Sequence, residues 1–75
     1  MTEKQRENFR KNVKCFLVNK RITQKDLADA TGISTTMLAH VVNGDKLPPI
    51  DKLFALASYM GVTADQLVNA KLFRA

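Results

Sequence analysis

Few of the reactive side chains in this sequence are placed to work together on a substrate. Its one cysteine, Cys15, and its one histidine, His40, cannot build a structural zinc site, which takes four ligands, so no metal or cofactor is expected. Paired carboxylates, a nucleophile beside a base and a phosphate-cradling loop are all missing, and the chain does not read as an enzyme. What it offers is hydrogen-bonding chemistry: the hydroxyls and amides of Thr23, Gln24, Thr35, Thr36 and Asn43, the His40 imidazole, and a surplus of cations. Residues 1–25 hold eight lysines or arginines against Glu3 and Glu7, a balance of +6. Residues 26–75 hold four against five acidic groups, a balance of −1, which brings the net charge to +5. A basic end on a small domain attracts polyanions through field steering and counterion release.

Such groups act only if short, well-bounded elements hold them, and the hydrophobic pattern has the period of helices throughout. Thr2 and Gln5 form a capping box that opens a first helix at Glu3, ending near Asn19 or Lys20. Phe9, Val13, Phe16, Leu17 and the stem of Lys20 make its apolar stripe, while Arg6, Arg10 and Lys14 form a second stripe facing water or a polyanion. Thr23, with Asp26 in the reciprocal position, caps a short second helix whose Leu27, Ala28 and Thr31 turn inward, and Gly32 stops it. Ser34 caps a third helix that runs to Val42 or Asn43 and buries Leu38, Val41 and Val42. Pro48-Pro49 bars helix through the next linker. A fourth helix is expected from Ile50 to Met60, with Ile50, Leu53, Phe54, Leu56, Ala57 and Met60 as its core stripe. Gly61 ends it, and Thr63 with Gln66 opens a last short helix to about Asn69 that buries Leu67 and Val68. The Lys71-Leu72-Phe73-Arg74 tail either packs back or meets a partner.

Seventy-five residues leave room for one core, so residues 1–75 are expected to form a single domain, with 70–75 a flexible or dimer-contacting tail. An apolar content of 45% is ordinary for a globular chain. No apolar run approaches the ~20 residues that span a bilayer, and the polar start, Met1 to Asn8, is unlike a signal peptide. No membrane association is expected, and the expected compartment is the cytoplasm.

The segment from Gln24 to Asn43 has the pattern expected of a helix-turn-helix, parts of which a helical hairpin of purely structural use would share. Two short helices crossing steeply need a small residue where their backbones meet, and Ala28 supplies it. Gly32 makes the tight turn, and Ile33, Leu38 and Val41 fill the space between the helices. With Thr23-Gln24-Lys-Asp-Leu-Ala, Thr31-Gly32-Ile-Ser, Asn43-Gly44, Pro48-Pro49 and Leu53-x-x-Leu-Ala-x-x-Met-Gly-Val-Thr-x-x-x-Leu67, the stretch from about Val13 to Val68 resembles the phage lambda repressor/Cro-type helix-turn-helix family. That resemblance covers some three quarters of the chain. It implies an all-α, five-helix DNA-binding fold, double-stranded DNA as partner, a palindromic operator and a homodimer.

It also implies roles for particular residues. The exposed face of the third helix enters the major groove, so Thr35, Thr36, Ala39 and His40 are the candidate base readers. Threonine hydroxyls donate or accept, and the threonine and alanine methyls can meet thymine methyls. Gln24 matches the glutamine that binds a backbone phosphate, helped by free amides at that helix start. Thr23 and Lys25 flank it, and Asn43, Gly44 and Lys46 match a loop that approaches phosphate, where glycine allows close backbone contact. Lys20 and Arg21 flank the same region.

Two features depart from the family pattern. Many relatives pair a buried arginine late in the first helix with a glutamate near the end of the third; here those positions are Leu17 and Val42, and an apolar pair can replace a buried ion pair without loss. The first helix also has extra turns over residues 2–8, bearing Lys4 and Arg6, which either reach DNA or only solubilise that end. The expected function is sequence-specific DNA binding by a transcriptional repressor or regulator. The alternative is a protein-interaction module on the same fold, such as an antirepressor or antitoxin-like component, which would bind through the Leu72-Phe73 tail and ignore DNA.

Overall fold

The chain is described by a computed structural model over residues 2–43 and 47–72. Five helices follow one another there: α1 Glu3–Lys20, α2 Gln24–Thr31, α3 Thr35–Asn43, α4 Ile50–Met60 and α5 Ala64–Asn69. No strand occurs among the described residues. Local chemistry sets each start. Thr2, Thr23 and Thr63 each accept the amide three residues on and receive a side chain back from Gln5, Asp26 and Gln66, so three helices begin with two otherwise orphaned donors satisfied. Ser34 does half of this for α3, its Oγ accepting the Met37 amide at 3.1 Å.

Left-handed residues close three of the helices. Gly32 and Gly61 take φ of 74° and 75° and close α2 and α4. At the end of α1 the left-handed residue is Arg21, with φ 55°, a conformation that costs an L-residue roughly 1 kcal/mol or more. Its amide is aimed at the carbonyls of Leu17 and Val18, and the Ile22 amide also returns to Leu17 at 3.1 Å. A non-glycine cap of this kind leaves no composition signal.

The core is a single cluster in which Phe9, Val13 and Phe16 of α1 meet Leu27 and Ala28 of α2, Leu38, Val41 and Val42 of α3, Leu56, Ala57 and Met60 of α4, and Leu67 and Val68 of α5. Leu17 is half-buried against it and Val42 is inside it, as expected of an apolar replacement for an ion pair. The aromatic ring of Phe16 stands edge-on to Tyr59 of α4, with centroids 5.9 Å apart and planes at 73°.

Two residues assigned to the core stripe of α4 are not in it. Ile50 is 70% and Phe54 55% exposed. The inward arc of α4 is centred on Leu53, Leu56, Ala57 and Met60. At 100° per residue, Ile50 lies about 70° and Phe54 about 110° from that centre. The apolar pattern of α4 is wider than the face it buries. Met60 and Val68, expected above to face the core, are both buried.

The largest helix–helix contact joins α1 to α5, and its character is polar at one edge. Gln5, Asn8 and Asn12 line that edge of α1. Asn8 donates to the Val68 carbonyl at 3.2 Å, and Asn12 donates to those of Leu67 and Ala70 at 2.8 and 2.7 Å. The Asn12 Oδ1 accepts the Leu72 amide at 3.1 Å, and Gln5 reaches the Asn69 side chain at 2.9 Å. A six-residue helix with no glycine cap thus has its last carbonyls satisfied by side chains from α1. Over Lys71 and Leu72 the tail packs back on α1; Phe73 and the rest of it lie outside the described residues.

Candidate nucleic-acid interface

Helices α2 and α3 are joined by Gly32, Ile33 and Ser34. The Gly32 and Ile33 amides both return to the Ala28 carbonyl, at 2.9 and 3.2 Å, which locks the turn. Ala28, Ile33, Leu38 and Val41 are all buried between the helices. A Cβ on Gly32 would meet nothing closer than the Lys52 Nζ at 3.5 Å, so glycine is required here by its backbone angle rather than by crowding. The packed side of α3 comprises Met37, Leu38, Val41 and Val42. At 100° per residue, Thr35, Thr36, Ala39, His40 and Asn43 fall on the complementary arc, about 140° wide. Thr35, Thr36 and Asn43 are exposed; Ala39 and His40 are half-buried at its base.

All four residues expected to read bases therefore share one side of α3, and the two threonines stand at the N-terminal end of that side. A hydroxyl, a methyl and an imidazole on a nine-residue helix give a surface able to donate, accept and make apolar contact. That is the range of chemistry presented by base edges in a major groove.

A second group lies at the start of α2, where Thr23, Gln24 and Lys25 are exposed together. The Thr23 Oγ1 accepts the Asp26 amide at 3.1 Å and its carbonyl takes the Leu27 amide at 3.1 Å. The Gln24 and Lys25 amides precede the first in-helix acceptor and carry the positive end of the helix dipole. The Thr23 oxygen is already an acceptor, and its one hydroxyl proton is directed to the Asp26 carboxylate. Lys25 lies 3.3 Å from Asp29, an exposed pair one turn apart, whose mutual attraction is weak. Asp26 is held below the usual aspartate range, chiefly by the Thr23 backbone amide and then by its hydroxyl, so the group nearest this helix start stays anionic. Lys20 and Arg21 are exposed just before it. Of the third expected group, Asn43 is at the exposed end of α3, while Gly44 and Lys46 lie outside the described residues.

The extra turns at the start of α1 lie at the other end of an 18-residue helix, roughly 27 Å long, from Lys20 and Arg21. Lys4 is exposed and Arg6 half-buried there, among Glu3, Glu7 and Arg10. Lys11 and Glu7 pair at 2.9 Å. Sequence reasoning missed the polar edge of α1. The signal was present: Asn8 and Asn12, four residues apart, sit directly beside Phe9 and Val13, a position where solvated asparagines are not expected. Among the described residues no group of three or more histidines, cysteines or carboxylates is placed to hold a metal ion. Nor is any helix there long and apolar enough to cross a membrane.

Comparison with known proteins bears on this arrangement. A helix-turn-helix family model matches residues 16–67, which contain α2, α3, α4 and most of α5. No curated protein matches the chain at a significant level. The solution structure of the SOS-response transcriptional repressor LexA from Eubacterium rectale superposes with a TM-score of 0.82. That match is 24% identical and covers 100% of this chain and 80% of the other; at that identity the likeness is one of fold.

Proposed function

The chain belongs to the helix-turn-helix family of DNA-binding transcriptional regulators, and from that premise we infer that it is a sequence-specific repressor acting through the major groove. The observation that carries this reading is the outward arc of α3. Its Thr35 and Thr36 are exposed on a helix otherwise pinned by Leu38, Val41 and Val42. Thr35, Thr36, Ala39 and His40 read base edges, with the N-terminal part of α3 deepest in the groove. Thr23, Gln24 and Lys25 grip a phosphate at the start of α2, and Asn43, Gly44 and Lys46 a second beyond α3. No enzymatic step enters this account.

The division of labour follows from chemistry. Phosphate contacts set register and supply affinity that falls steeply with salt, while base contacts supply preference. One small domain buries a modest area on DNA, so two symmetry-related copies on a palindrome, with half-sites roughly 34 Å apart, supply the rest. Selection of bound sites from random duplex, followed by titration at rising salt, tests the reading. It predicts a palindromic consensus and an affinity that drops with each salt increment. Protein that ignores duplex DNA even at low ionic strength contradicts it.

A further inference from the structure

Lys52 stands in the first turn of α4, where its backbone amide donates to the Pro49 carbonyl at 3.0 Å. That is the positive end of the helix dipole, an unfavourable place for a cation. The side chain does not run free into solvent. Lys52 is half-buried, and its Nζ lies 3.5 Å from the position that a Cβ on Gly32 would occupy. The ammonium carried by α4 thus rests against the turn that joins α2 to α3. A local rule broken in this way points to a gain made elsewhere.

The gain is at the end of α2. No basic residue stands in the last turn of that helix. Among the described residues the Gly32 and Ile33 amides both go to the Ala28 carbonyl, and no backbone amide is directed to those of Asp29, Ala30 and Thr31. These carbonyls carry the negative end of the α2 dipole. The Asp29 carboxylate is paired with Lys25, and among the described residues Lys52 enters no salt bridge. What its ammonium faces is therefore the end of a helix rather than an acidic side chain.

We propose that Lys52 is a positioning residue for the groove-reading helix: its ammonium ties the α2–α3 turn to α4 and so fixes the N-terminal end of α3. The proposal deepens the DNA-binding function given above and rests on it. Only Gly32, Ile33 and Ser34 lie between α2 and α3, so the direction of this turn decides where Thr35 and Thr36 stand. Ile33 is buried and seats the turn on the core, while Gly32 and Ser34 are exposed; Lys52 holds the turn on that open side. Helix α4 is a firm support for it, because Leu56, Ala57 and Met60 are sunk in the shared core. A reading surface needs its side chains placed to within about 0.5 Å. Lys52 touches no base in this role and acts through the turn.

The test is Lys52→Met, which keeps the apolar stem and removes the charge, beside Lys52→Arg, which keeps the charge. Binding is measured on the selected duplex, on its single-base variants and on a random-sequence duplex, over a range of salt. Lys52→Met should bind the random duplex nearly as wild type does, with the salt slope unchanged. Its preference for the selected site over variants at the bases facing Thr35 and Thr36 should shrink about threefold to tenfold. Lys52→Arg should retain most of that preference. Urea unfolding checks that each variant is folded under the assay conditions; Lys52→Gln, neutral and polar, takes the place of the methionine variant if that one is not. A preference that survives loss of the ammonium overturns the proposal and leaves the groove reading intact. So does a loss shared equally by all duplexes with the salt slope reduced by about 0.9, which marks a direct phosphate contact. Preference lost as fully in Lys52→Arg as in Lys52→Met overturns it too. Wild type that prefers no sequence defeats the groove reading, and the role of Lys52 with it.

Discussion

Asn12 holds Leu72. Its Oδ1 accepts the Leu72 amide at 3.1 Å, across sixty residues of sequence, while its Nδ2 serves the Leu67 and Ala70 carbonyls. One 2%-exposed side chain thus satisfies three backbone groups at the end of α5, and α5 in turn backs the α1 face that supports α3. Asn12→Ala leaves those groups without partners and should destabilise the fold by roughly 2–4 kcal/mol, read as a shift in the urea midpoint at unchanged slope.

Asn12→Asp should be worse at neutral pH, and conditionally so. A carboxylate set against two carbonyls in a buried site is raised in pKa. The ionisation penalty is therefore absent below the ordinary aspartate value of about 4, grows as pH rises, and is complete above the raised value. Unfolding midpoints measured from pH 3 to 7 should come nearest those of wild type at the acid end, where the one O–H of a neutral carboxyl still leaves one of the two carbonyls without its donor. A gap that stays constant with pH would show that Asn12 acts through shape alone.

Arg21 separates stability from binding. With φ at 55°, Arg21→Gly should relieve strain and stabilise by about 0.5–1 kcal/mol. The same change removes a cation just ahead of Thr23 and Gln24, so duplex affinity should fall and the salt dependence become shallower. Thermal unfolding and a salt titration of one variant check both signs. Gly32→Ala, at φ 74° with no close neighbour, should lose about 1 kcal/mol from backbone geometry only.

Acid sensitivity should be concentrated at two carboxylates. Asp26 is held low by the Thr23 amide and hydroxyl, and Glu7 by its hydrogen bond to Lys11. A depressed folded-state pKa contributes stability that is present above the unfolded value and lost as pH falls through the folded one. Stability should therefore decline below about pH 4, and Asp26→Asn, which can still accept the Thr23 amide, should flatten that decline. Melting temperatures collected between pH 2 and pH 6 decide it.

Much of this architecture was legible because helix boundaries are written in local chemistry. Thr2-x-x-Gln5, Thr23-x-x-Asp26 and Thr63-x-x-Gln66 announce their helices, and Gly32 and Gly61 announce where two of them stop. The outward arc of α3 was legible too, since its inward residues are all apolar. What escaped was tertiary. Nothing local distinguishes a buried Asn12 from a solvated one until α5 is placed against α1. The seven apolar residues of α4 between Ile50 and Met60 other than Tyr59 outnumber the positions its core face can hold, so period alone placed Ile50 and Phe54 inside. Arg21 was invisible as a left-handed cap because its side chain carries no conformational preference for that role.

On the proposed function, Thr35 and Thr36 choose the sequence while Gln24 only holds the duplex. The most direct measurement ranks a panel of single-base variants of the selected site for wild type, for Gln24→Ala and for Thr35→Ala/Thr36→Ala. Gln24→Ala should weaken all sites alike and preserve their order, whereas the threonine substitutions should reorder them, with about 1–3 kcal/mol of discrimination lost at the bases they read. An order left untouched by the loss of both threonines would contradict it.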